Sequence, residues 1–199
     1  MTVIAVTGNL GSGKTTVSQM FVDLGAILID ADAITHALLD THRGCQKRIK
    51  AVFGSGVFNG EKVDRAKLAV TVFENPGALE ALENIIHPLV LEQIKKRLAQ
   101  LKRTRSCPMC VLEVPLLFES NMETLADAVI VVRSNQRLQI ERVVKKRKMT
   151  RAQALARLRR QMPQQEKLRR ADFVIDNRRS KQDTRAQVRR IFDALVHHI

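Results

Sequence analysis

The sequence predicts an α/β fold with a parallel sheet, and three features carry that prediction. A β-branched run over residues 2–7 leads through a glycine-rich segment into a helical pattern. A long, mostly helical stretch follows over residues 31–105. Strand and helix alternation then returns from residue 109 onward. Of the 199 residues, 45% are hydrophobic and 27% charged, which suits one compact domain with small inserted parts and excludes disordered and fibrous classes.

Each element has its own warrant. After the strand at 2–7, Val17, Met20, Phe21 and Leu24 recur at helical spacing, and residues 26–29 form a second buried-type strand ending at Asp30. These make a βαβ unit with a right-handed crossover. In the helical stretch, a glycine-rich interruption lies at 53–60, an amphipathic run covers 77–102, and His87-Pro88 is expected to break it. Residues 109–114, stopped by Pro115, and 128–132 read as further strands. Residues 136–148 and 151–160 read as a basic helical hairpin with Thr150 as the second N-cap, 173–175 as a last strand, and 181–196 as a closing amphipathic helix.

No run of about 18 apolar residues occurs and the start lacks a secretory pattern, so a soluble cytoplasmic protein with no membrane partner is expected. Three cysteines are too few and too odd in number for a disulfide framework. Cys107 and Cys110 have redox or zinc spacing, but no second pair or nearby His accompanies them. The net charge is +14, and residues 133–190 hold 20 of the 34 Lys and Arg against five acidic residues. That segment is suited to several phosphates. The absence of Trp and Tyr disfavours nucleic acid as the partner.

The chemistry starts at GNLGSGKT, residues 8–15, which matches G-x-x-x-x-G-K-[ST] between a strand and a helix. Such a P-loop cradles a triphosphate on backbone N–H groups, with Lys14 reaching the β and γ phosphates and the Thr15 hydroxyl suited to Mg²⁺. Asp30 and Asp32 follow the second strand. Asp32 is assigned as base or orienter of an acceptor hydroxyl and Asp30 as a metal ligand, with helix N-capping by either as the alternative. Arg137, Arg142, Arg147 and Arg157 are candidates to close over the triphosphate, against a solvated basic face. Glu113 and Glu119 flank VPLLF, where an acid facing the P-loop could bind acceptor or metal through water, or simply pack. A lone His87 reads as structural.

The ordered set of GNLGSGKT, DAD at 30–32 with His36, VDR at 63–65, HPL at 87–89, EVPLLFE at 113–119, QMP at 161–163 and DFVIDN at 172–177 resembles the dephospho-CoA kinase family along essentially the whole chain. The resemblance implies a P-loop NTPase fold: a five-stranded parallel sheet flanked by helices, with a helical substrate-binding insertion and a helical lid. It divides the chain into a core of 1–30, 106–137 and 171–199, a CoA-substrate domain of 31–105, and a basic lid of 138–170. It implies transfer of the ATP γ-phosphate to the ribose 3'-hydroxyl of dephospho-CoA, with Mg²⁺ as cofactor and the chain a monomer or weak homo-oligomer. Carried over by position, the ATP side comprises Gly8, Gly11, Ser12, Gly13, Lys14, Thr15, Thr16, Arg142, Arg147 and Asn177. The acceptor side comprises Asp32, Arg65, His87, Pro115 and Leu116. Catalysis falls to Asp32, Lys14 and Arg142, and the metal to Thr15 and Asp30. Where the family continues toward a Gly after VIDN, Arg178, Arg179 and Ser180 follow here. A nucleoside or nucleotide kinase is the alternative within the fold, and a nucleotide-dependent nucleic-acid-binding protein the alternative outside it.

Overall fold

The structure, a computed structural model, describes residues 1–104, 107–147 and 149–196, without the side chains of 73, 74, 76, 146 and 147. The chain divides into two compact units, residues 1–30 with 97–199, and residues 31–96. In chain order, β1 (Thr2–Thr7), α1 (Lys14–Val22) and β2 (Ile27–Asp30) open the first unit. The second contains α2 (Ala31–Thr41), α3 (Arg43–Phe53), the two-residue strands β3 (Phe58–Asn59) and β4 (Lys62–Val63), and α4 (Arg65–Glu74). The division falls within α5 (Pro76–Thr104). Then β5 (Met109–Glu113), β6 (Ala128–Arg133), α6 (Gln136–Arg147), α7 (Arg151–Arg160), α8 (Gln164–Arg169), β7 (Phe173–Asp176) and α9 (Lys181–Val196) complete the first unit.

The first unit is the five-stranded parallel sheet, in the order β2-β5-β1-β6-β7. β5 is buried along its whole length, as befits a parallel strand covered on both faces. Its register sets Val6 opposite Glu113 on one side and Asp30 opposite Glu113 on the other, so the carboxyl ends of β1, β5 and β2 lie level. Val17, Met20 and Phe21 turn one face of α1 into the core, where they join Ile4, Val111, Ile130, Val188 and Phe192. Thr150 caps α7 through a capping box with Gln153, the cap that the sequence predicts.

In the second unit, His42 caps α3, its Nδ1 accepting from the Cys45 N–H at 3.0 Å, and Asp64 caps α4 by accepting from Ala66 N at 3.0 Å. The glycine-rich interruption leads into a hairpin, Phe58 opposite Val63 and Asn59 opposite Lys62, whose two-residue turn opens on Gly60 at φ 60°. The expected break at Pro88 does not occur, because α5 runs through it. Ile85, Ile86, Val90 and Ile94 are buried on both sides of Pro88, so one continuous apolar stripe holds the helix across the lost backbone bond. α8 goes unread in the sequence, since six residues are too few to show a period. Among the described residues no helix is long and apolar enough to cross a membrane.

Candidate active site

Residues 8–13 leave the end of β1 and enter α1 at Lys14, and three parts of the first unit pin them. At Gly11 (φ 75°) a Cβ would stand 2.4 Å from the Gln139 carbonyl oxygen on α6. At Gly13 (φ 99°) it would stand 2.0 Å from Asn177 Nδ2 beyond β7. Both positions combine a backbone region open to glycine with a neighbour that any Cβ would displace, the backbone of α6 at Gly11 and the end of the Asn177 side chain at Gly13. Leu10 packs between the two helices of the basic hairpin, against Val143 and Ala154, a burial contributing about 2 kcal/mol.

The loop carbonyls are held from one side. Asn177 Nδ2 donates to Ser12 O at 2.7 Å, and Thr184 Oγ1 donates to Asn177 Oδ1 at 3.1 Å. Arg142 forks over the same edge, donating to Ser12 O at 3.3 Å, Ser134 Oγ at 3.3 Å and Asn177 O at 3.0 Å. A trans peptide directs its N–H opposite to its C=O, so fixing the Ser12 carbonyl aims the Gly13 N–H away from these donors. The first turn of α1 has neither a side-chain cap nor an acid, and its N–H groups and positive helix end suit an anion. Lys14 is 8% exposed and arches back over the loop, donating to Gly8 O at 2.9 Å and Asn9 O at 3.3 Å.

Next to the loop, the Thr15 hydroxyl donates to Glu113 Oε1 at 2.7 Å, and the buried Glu113 carboxyl also faces the Ser18 hydroxyl. Burial pushes the Glu113 carboxyl up from the ordinary carboxylate range, and the Thr15 hydrogen bond offsets part of that rise. Asp30 sits opposite Glu113 in the β2–β5 register. The donor set around Thr15 is therefore oxygen throughout, which fits a hard divalent cation such as Mg²⁺.

Of the predicted site residues, Gly8, Gly11, Ser12, Gly13, Lys14, Thr15, Thr16, Asp30, Arg142 and Asn177 all fall in the first unit, and Pro115 and Leu116 follow β5 there. Asp32, in the first turn of α2, Arg65, at the start of α4, and His87, half-buried within α5, belong to the second unit. The Arg147 side chain lies outside the described residues. Arg142 and Asn177, expected on the nucleotide, here organise the loop that would hold it. Glu113, which the sequence offers as an acid facing the phosphate loop or as packing, meets Thr15 there, and two contributors are absent from the expectation: Gln161 as a loop contact, and Lys167. Gln161, whose Oε1 accepts from Leu10 N at 2.8 Å, and Lys167, buried against Pro115 and Glu119, leave no local pattern.

The family model described as dephospho-CoA kinase matches residues 2–183. A dephospho-CoA kinase of Latilactobacillus sakei is 37% identical over 98% of this chain and 96% of its own. The structure of dephospho-CoA kinase from Campylobacter jejuni matches with a TM-score of 0.73 and 30% identity, covering 98% of both chains. Shikimate kinase from Acinetobacter baumannii matches with a TM-score of 0.55 and 16% identity over 100% of this chain and 94% of its own, a likeness of fold alone.

Proposed function

The chain belongs to the dephospho-CoA kinase family, and we infer from its site how it carries out that reaction. It is an ATP-dependent phosphotransferase with an alcohol acceptor, and it moves the γ-phosphate of ATP to the ribose 3'-hydroxyl of dephospho-CoA, giving CoA and ADP. The observation that carries the mechanistic reading is the Thr15–Glu113 hydrogen bond at 2.7 Å beside the lysine-spanned loop.

The loop amides and the first turn of α1 bind the phosphate chain. Lys14 exchanges its contacts with the Gly8 and Asn9 carbonyls for the β and γ phosphates and offsets the charge that spreads over the transferring group. Thr15, with Asp30 and Glu113 behind it, would hold Mg²⁺. Once bound, that ion neutralises phosphate charge and fixes its geometry. Asp32 accepts the proton of the acceptor 3'-hydroxyl as its oxygen bonds to the γ-phosphorus, and the bond to the bridging β,γ-oxygen breaks to release ADP. Residues 31–105, with Arg65 and His87, bind dephospho-CoA together with Pro115 and Leu116. Residues 138–170 act as the lid, with Arg142 and Arg147 on the nucleotide side and Asn177 on the adenine side. The reading includes a cytoplasmic enzyme that works as a monomer or weak homo-oligomer. Three thiols outside any disulfide support the reducing compartment.

The test is ADP release with Mg-ATP over a panel of dephospho-CoA, adenosine, AMP, dCMP, shikimate and no acceptor, with the product identified by mass. Turnover confined to dephospho-CoA is expected. Turnover confined to another acceptor would overturn the acceptor reading and leave the phosphate loop standing.

A further inference from the structure

Lys167 lies on α8 with its side chain fully buried, 0% exposed. Its ammonium donates to the Pro115 carbonyl at 3.1 Å and to Glu119 Oε2 at 3.1 Å, and stands 2.9 Å from Glu119 Oε1. A buried charge persists only where its partners are fixed, because withdrawing one strands the other in a poor solvent. Those partners continue in both directions. Glu119 Oε1 also accepts from Met162 N at 2.9 Å, the Met162 carbonyl accepts from Asn9 Nδ2 at 3.1 Å, and Gln161 Oε1 accepts from Leu10 N at 2.8 Å. On the other side, the Pro115 carbonyl also accepts from Thr7 Oγ1 at 3.3 Å, directly before the phosphate loop.

The hydrogen bonds thus close a circuit: phosphate loop, residues 161–162, Glu119, Lys167, Pro115, and back to the phosphate loop. Arg170, one helical turn on, reinforces the same side. It pairs with Glu123, and its guanidinium lies 4.3 Å from the centre of the Phe118 ring. A hollow of about 260 Å³ lined by Asn9, Gln139, Pro163 and Gln164 adjoins its loop end.

We propose that the buried Lys167–Glu119 pair is a positioning device that couples the phosphate loop to the acceptor-side loop at Pro115, so that a bound nucleotide tightens the acceptor. Lys167 touches neither substrate. It bridges Glu119, which meets the segment that holds Asn9 and Leu10, to the Pro115 carbonyl, so a shift at the loop reaches Pro115 through it. The inference rests on the reading of Pro115 and Leu116 as acceptor-side residues.

The test compares the dephospho-CoA Kd, by titration calorimetry, with and without the non-hydrolysable analogue Mg-AMP-PNP, in the full-length wild type, Lys167→Met and Glu119→Gln. In the wild type the nucleotide is expected to tighten the acceptor by at least about fivefold. In both variants the ratio should fall to about one. A general loosening of the fold would weaken both affinities and leave the ratio in place, so the ratio separates positioning from structural support. Glu119→Gln keeps size and acceptor oxygen and carries the test should Lys167→Met fail to fold. A wild-type ratio of one, or a wild-type ratio retained in a folded variant, overturns the proposal. Were dephospho-CoA not to bind wild type at all, the acceptor reading would fall. Coupling would then be judged by hydrogen exchange: protection of residues 115–123 on adding Mg-AMP-PNP, present in wild type and lost in the variants, upholds it, and equal protection in all three overturns it.

Discussion

Thr15 and Glu113, 98 residues apart in the chain, share a 2.7 Å hydrogen bond in which the first hydroxyl of the phosphate-loop helix meets the last residue of a fully buried strand. Without that bond the carboxylate would be a buried charge with less to offset its desolvation. The pair places an acid beside the phosphates at the sheet edge where open parallel α/β folds bind their ligands.

Replacing that acid should affect activity and stability in opposite directions. In the ligand-free protein the Glu113 carboxyl titrates above its ordinary range, chiefly because burial penalises the charge. Its proton therefore binds more tightly in the folded state. The associated stability is fully present below about pH 4.3 and is lost as pH rises through the folded value. Glu113→Gln removes this dependence. Thermal melts from pH 4 to 8 should show wild type losing ground to the variant as pH rises, while the Mg²⁺ concentration for half-maximal activity rises about tenfold in the variant.

The glycines of the loop should differ in what their loss disrupts. Gly11→Ala drives a methyl into the backbone of α6 at 2.4 Å, and a helix carbonyl cannot step aside. A loss of about 3 kcal/mol in denaturant unfolding is expected. Gly13→Ala meets only the end of the Asn177 side chain, which can rotate away. That movement gives up its bond to Ser12, so the main loss should appear in ATP affinity. Gly54→Ala, at φ 75° and ψ −175° with no atom within 4 Å, separates backbone strain from contact and should cost about 2 kcal/mol while leaving ATP affinity unchanged.

Arg142 holds acceptors on Ser12, Ser134 and Asn177 with a planar fork. A lysine carries the same charge without that geometry. Arg142→Lys should therefore raise the ATP KM about as much as Arg142→Ala, by roughly tenfold. Full rescue by lysine would show that charge alone matters.

Asp32→Asn should leave the ATP Kd within about threefold and lower kcat by at least about 100-fold, the usual contribution of a positioned base. Lys14→Ala should lower kcat at least as far, through loss of charge on the transferring group. Near-normal kcat in Asp32→Asn would remove Asp32 from the base role.

Much of this was legible beforehand because the signals are local. The strands are short β-branched runs, the phosphate loop is one contiguous motif, and Thr150 carries its own capping box. Pro88 was misleading, since residue type alone argues for a break while the buried stripe from Ile85 to Ile94 overrides it. α8 is too short for periodicity, and Lys167 on it looks like any other basic residue of a basic segment. Its burial depends on Glu119, 48 positions away, and Gln161 meets Leu10 across 151. Only the folded chain brings such partners together.

The strand order carries a consequence for synthesis. β1 and β2 are neighbours in sequence and are made one after the other, yet they never pair with each other; β5, beginning at Met109, lies between them. Until β5 has been made, the strand that supports the phosphate loop has no neighbour in the sheet, and the loop's contacts at Gln139 and Asn177 come later still. The nascent protein therefore cannot bind nucleotide early, and its central sheet forms late through contacts distant in sequence, a topology that folds slowly.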